Sequence, residues 1–175
     1  MLATCNYKEY NIENELHLDA YSISFDKGKS ENWQGKSYPS LAPNRQFWKI
    51  WKDNIGYRSE EINNLFYAEQ YYFQVLRNLN PEEILEGLDN SVMLCYESSE
   101  QFCHRGLAAA WLELLLDIEI PEIKFVDGKV IKTVRNPYYK ETMESVIRKF
   151  EYMDGFETIH EYYLSTKQKQ KILTK

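Results

Sequence analysis

Apolar and polar residues alternate through His17 to Phe25 (HLDAYSISF). Leu16, Leu18, Ala20 or Tyr21, and Ile23 recur at a period of two, which predicts a strand. Asp26 to Ser37 is polar, carries two glycines and predicts a loop long enough to be functional. Tyr38 to Pro43 (YPSLAP) predicts an extended segment, because a residue that precedes proline is pushed out of helical geometry. Helical spacing takes over after Pro43. Phe47, Ile50, Trp51 and Ile55 mark a helix over Asn44 to Asn54, and Ile62, Leu65, Phe66, Tyr72, Phe73 and Leu76 mark one over Glu60 to Asn78. Asn80-Pro81-Glu82-Glu83 has a capping residue, a proline at the first helical position and two carboxylates at the positive end of the dipole, so a short helix starts there and ends between Gly87 and Asn90.

An apolar run then delivers Ser91 to Cys95 as a strand, a polar loop follows, and Cys103 to Leu116 predicts a helix rich in small residues. Ile120 to Val126 predicts a further strand, and Val126-Asp127-Gly128-Lys129-Val130 carries a hairpin turn into a ribbon that runs through Val134. A continuous apolar strand between helices marks the centre of a parallel sheet covered on both faces. The expected fold is therefore three-layer α/β, with the strands near 17–24, 91–96 and 121–126 as largely parallel neighbours. From Asn136 onward Met143, Val146, Ile147, Phe150 and Met153, then a break at Gly155, then Ile159, Tyr162, Tyr163 and Leu164 predict helices. Residues 1–135 are thus read as the α/β domain and 136–175 as a helical extension packed on it. No internal repeat is visible.

A chain of 175 residues has room for one well-formed core, and its fourteen tyrosines can fill that core or line a pocket. The net charge of −6 argues against extended duplex nucleic acid as a partner, since such binding needs a broad cationic surface. The basic KQKQKILTK end predicts a solvated tail. Three cysteines are too few for a disulfide framework, residues 1–20 lack the features of a signal peptide, and no run has the length of a membrane span; the expected setting is the cytoplasm, away from membranes.

Chemistry concentrates in Ser91 to Trp111, SVMLCYESSEQFCHRGLAAAW. Cys95 closes a strand at the carboxyl edge of the sheet, where open α/β sheets bind ligands, and Glu97 follows in the loop. If Cys103 to Arg105 form the first turn of the next helix, its free amides attract anions and favour a thiolate, and Arg105 adds a fork suited to phosphate or carboxylate. Three readings compete. In one, Cys95 or Cys103 is a nucleophile served by His104 or Glu97. In another, Cys95, Cys103 and His104 hold a zinc ion, although the spacing fits no standard zinc pattern, so no cofactor is the favoured expectation. In the third, the thiols are small buried hydrophobes and His104 and Arg105 solvate a helix start. A phosphatase loop is excluded, because position 101, six after Cys95, is Gln. His17 and His160 read as surface residues, Trp48 and Trp51 as core, and Cys5 as part of a loose amino terminus.

VMLCYE, FCHRGLAAAWLE, the upstream YPSLAPNRQFWKIW and the intervening YYFQVLRNLNPEEILEGL stand in an order that resembles the bacterial and phage family known as domain of unknown function 488, over about Leu18 to Ile123. The resemblance implies an α/β fold and a shared site at Cys95, Glu97, Cys103, His104 and Arg105. With it, Ser24, Tyr38 and Arg45 become further ligand-binding candidates. It also implies a nucleotide-derived or nucleic-acid-linked substrate, or a small phosphorylated nucleotide-like ligand that is bound without turnover.

Overall fold

The Val92-Met93-Leu94 run forms a strand in which every residue is buried, β4 (Ser91–Cys95), and the sheet is built around it. In this computed structural model, which describes residues 1–10, 17–127 and 129–173 (171–173 without their side chains), the other strands are β1 (Leu2–Asn6), β2 (Asp19–Ser22), β3 (Lys36–Ser37), β5 (Glu122–Val126) and β6 (Lys129–Thr133). The six lie in the order β3-β2-β4-β1-β5-β6, all parallel except the β5–β6 ribbon that the Asp127 turn produces. Among the described residues six α-helices flank this sheet: α1 (Arg45–Asp53), α2 (Glu60–Gln74), α3 (Pro81–Gly87), α4 (His104–Leu116), α5 (Tyr138–Phe150) and α6 (Ile159–Leu173). The expected mostly parallel α/β architecture is present, with a helix at the carboxyl end.

The amino terminus corrects the reading. Leu2–Asn6 is a central strand with no exposed residue, and Cys5 is fully buried within it. It inserts between β4 and β5, so those two strands share a sheet but are not neighbours. The strand expected from His17 begins at Asp19, and Leu16 lies outside the described residues. Pro39–Leu41 is a 3-10 turn rather than extended chain, and α2 stops at Gln74, with Leu76–Asn78 continuing as a 3-10 turn. The basic tail continues α6 as far as Leu173; residues 174 and 175 lie outside the described residues.

Alternation along β1 and β4 divides the core. Leu2 and Met93 face the helices, where they meet Phe47, Tyr67, Tyr71, Leu107 and Trp111. Ala3, Cys5, Val92 and Leu94 face the other way and are covered by the aromatic side chains Tyr7, Tyr10, Trp33 and Tyr96. By the same period of two, Cys95 points with Met93 toward the helices while Cys5 points to the opposite face, which separates the third thiol from the other two.

The segment after residue 136 is tied closely to the rest of the chain, because α5 packs along α4 and α2. The contact is close at Gly106, where an added Cβ would stand 2.6 Å from the Tyr139 ring. Overpacking of this kind costs about 1–3 kcal/mol. Alanine recovers about 1 kcal/mol of helix propensity at most. Gly106→Ala is therefore expected to lower the thermal midpoint, and an unchanged or raised midpoint in a melting scan would show that the α4–α5 contact gives way freely.

Candidate functional site

The carboxyl ends of β2 and β4 meet the amino end of α4. Cys95 is the last residue of β4 and Cys103 is the N-cap of α4, with extended backbone (φ −149°, ψ 144°), so it precedes the first turn instead of belonging to it. His104 opens the helix. Its Nε2 lies 3.0 Å from the Ile23 carbonyl oxygen, which can only accept, so Nε2 carries the hydrogen and Nδ1 faces the thiols. Nδ1 is 3.5 Å from Cys95 Sγ and 4.0 Å from Cys103 Sγ. Tyr71 packs edge-on against the imidazole, with ring centres 5.7 Å apart. The Glu97 carboxylate comes to 3.2 Å of Cys95 Sγ, and the Ser24 hydroxyl reaches the same sulfur at 3.9 Å. Ser24 is held in turn by the Tyr7 hydroxyl at 2.8 Å. Cys95, Cys103, His104, Glu97 and Ser24 thus converge on one point, and the ligand atoms of the first three lie within 4.8 Å of one another, a grouping that could hold a metal ion.

The electrostatics do not favour a free thiolate at Cys103. Burial, followed by the neighbouring Cys95, pushes the Cys103 thiol up to about 12, the opposite direction to the lowering expected of a helix start. Burial likewise raises the Glu97 carboxyl, with Cys103 adding to the effect, to about 7. At His104 burial works against the charged ring, but Cys103 and Glu97 outweigh it and hold the pKa above the ordinary value.

Arg105 corrects a second expectation. Its side chain is almost fully buried and each of its three nitrogens is engaged: Nε and Nη2 donate to Glu122 at 3.1 and 2.8 Å, and Nη1 donates to the Glu97 carbonyl at 2.6 Å. Glu122 is also held by Thr4 Oγ1 at 2.5 Å. Arg105 is therefore an internal strut that fixes the Glu97 loop to β5 and β1, with a side chain only 3% exposed to an incoming anion. Arg45 and Tyr38 are not in the cluster either. Arg45 is exposed, its guanidinium 5.9 Å from the Phe25 ring, and Tyr38 turns toward α3, where its hydroxyl backs Gly87.

Two residues outside the motif complete the site. Tyr139, on α5, accepts the Cys103 N–H at 2.9 Å and donates to the Gln101 carbonyl at 3.1 Å, so it anchors the loop and the helix start together. Tyr139→Phe strands that buried amide and is expected to cost about 1–3 kcal/mol, read from the urea midpoint; no change would mean the amide finds another partner. Trp51, expected in the core, is half-buried and forms a wall with Phe102, ring centres 5.8 Å apart. His160, expected at the surface, is half-buried, and its Nδ1 lies 2.6 Å from the Leu115 carbonyl. His17 is exposed.

A cleft of about 450 Å3 opens beside the cluster, lined by residues that include Trp51, Phe102, Asn63, Asn64, Arg58, Glu60, Glu97 and Glu100. That size suits a small molecule. Behind it, a cavity of about 10 Å3 bounded by Trp51, Glu97, Phe102, Cys103 and His104 has room for about one water. Asn63 donates to the Trp51 carbonyl at 2.9 Å, while its buried Oδ1 has no hydrogen-bond partner. Among the described residues no helix is long and apolar enough to cross a membrane. Comparison with protein-family models, with curated proteins and with solved structures finds no match.

Proposed function

We propose that the protein is a hydrolytic enzyme for a nucleotide-derived substrate and that Glu97 is its proton-transfer group. One observation carries this reading. Glu97 both touches the buried cluster, at Cys95 Sγ, and lines the open cleft, whereas the Cys95 and Cys103 side chains are only 1% and 3% exposed and lie behind it. A substrate in the cleft meets the carboxylate and not the sulfurs.

The chemistry follows from that placement. The Glu97 carboxylate takes a proton from a water in the small cavity as the water oxygen bonds to an electrophilic carbon of the substrate. The bond from that carbon to its leaving group then breaks, and the proton on Glu97 passes to the departing atom. Arg105 takes no part in binding and keeps the Glu97 backbone in place. The cleft has one guanidinium, Arg58, against three carboxylates, a balance that favours the base or nucleoside part of a nucleotide over a polyphosphate. A flat ring can lie against Trp51 and Phe102. The resemblance of VMLCYE and FCHRGLAAAWLE to domain of unknown function 488 supports the same substrate class.

The test is to incubate the purified chain with nucleobases, nucleosides and nucleoside phosphates and to follow both ligand mass and protein melting temperature. A changed mass for one of the base-containing compounds supports the enzyme. Stabilisation at unchanged mass assigns the cleft to ligand capture, since a ligand that binds only the folded state raises the midpoint without chemistry. Neither effect across the whole panel overturns the reading.

A further inference from the structure

We infer that Cys95, Cys103 and His104 form a zinc site with three protein ligands whose fourth position opens into the one-water cavity at Glu97. A tetrahedral zinc ion with bonds of roughly 2.3 Å to sulfur and 2.0 Å to nitrogen sets its ligand atoms roughly 3.5–3.8 Å apart. Nδ1 already stands 3.5 Å from one sulfur and 4.0 Å from the other, and the three atoms lie within 4.8 Å of one another. Two sulfurs and one imidazole nitrogen suit a borderline-soft ion such as zinc and not magnesium or calcium, which take oxygen.

The surroundings fit as well. A ligating histidine ordinarily gives its other ring N–H to a carbonyl or carboxylate, and here Nε2 is 3.0 Å from the Ile23 carbonyl. The Ser24 hydroxyl lies 3.9 Å from Cys95 Sγ, positioned to donate to a ligating sulfur. On binding, each thiol releases its proton to solvent and the resulting sulfur charges offset the ion's own. The cavity bounded by Glu97, Cys103 and His104 leaves a fourth position on the side of the cleft, as a catalytic site requires and a purely structural one does not. Zinc there supplies a Lewis acid. Cys95 and Cys103 thereby become ligands and not nucleophiles.

The inference stands on the cluster alone and is separable from the proposed reaction, because its readouts use metal and no substrate. The full chain, stripped of metal under reducing conditions, is titrated with Zn2+ and with Co2+. About one ion per chain is expected, with a sulfur-to-cobalt charge-transfer band, tetrahedral-strength visible bands, and two sulfurs in the first shell by X-ray absorption. Cys103→Ala and His104→Ala should each weaken zinc binding about 100-fold or more, and Cys5→Ala, on the opposite face, should leave it unchanged. Because the buried-ligand variants can lose their fold, the cobalt and absorption spectra of the unaltered chain decide independently. No sulfur-bound ion on a folded chain, or full zinc affinity in a folded Cys103→Ala variant, overturns the assignment. Turnover that persists in a metal-free chain would leave the Glu97 reading intact while removing zinc from it.

Discussion

Arg105→Ala is expected to cost the fold about 3–5 kcal/mol, a large part of the roughly 5–15 kcal/mol that holds a domain of this size together. The cause is what remains behind. Glu122 has a side chain only 6% exposed and takes its charge-assisted contacts from Arg105; without the guanidinium, Thr4 Oγ1 is left as its close donor. An ionised carboxylate stranded in a dry interior is among the most costly defects a core can carry. The same deletion frees the Glu97 carbonyl, so the loop loosens as the sheet weakens. Replacing both partners with apolar residues of similar volume, Arg105→Met with Glu122→Leu, should restore most of the loss, because no charge is then left unpaired. Urea unfolding followed by circular dichroism measures both variants. A single-variant loss below about 1 kcal/mol would mean that the strut carries little and that Glu122 is satisfied some other way.

Glu97→Gln is expected to lower kcat/KM by about 100- to 10,000-fold on whichever compound the chain converts, with binding and thermal midpoint nearly unchanged. The amide matches the carboxyl in shape but neither takes up nor releases a proton. Its tolerance by the fold follows from the environment: burial and Cys103 raise the Glu97 carboxyl to about 7, so a neutral side chain is already acceptable at this position. Single-turnover measurement beside ligand-induced stabilisation separates the two effects. A variant that retains more than about a tenth of the activity would remove Glu97 from the proton-transfer role.

Much of the architecture was legible because it rests on local rules. The apolar run at Val92–Leu94, the Asp127 turn and the Asn80-Pro81 start each became the expected element, and the Asn80 side chain accepts from the Glu82 amide as a cap should. Leu2–Asn6 escaped because Ala, Thr, Cys and Asn are small or polar and show neither an apolar run nor a clean alternation; they form a strand because both neighbours bury them. In the motif, the approach of Cys95, Glu97, Cys103 and His104 could be anticipated from a strand, a loop and a helix start in sequence. The state of Arg105 could not, since its partner Glu122 arrives from β5, seventeen residues on. Tyr139 was hidden for the same reason, standing thirty-six residues beyond the amide it accepts.

The position of β1 also sets the order in which the molecule can assemble. Its partners all come much later in the chain: residues 91–95 on one side and Glu122 on the other, with Thr4 and Glu122 separated by 118 positions. Among the described residues β1 has no hairpin partner next to it in sequence. The sheet therefore closes only after Glu122 has been made, and such distant pairings slow folding because the chain loses its freedom before contacts compensate. Until then Leu2 to Asn6 is an unpaired segment that other chains can capture, and the middle of the sheet is its last part to become safe.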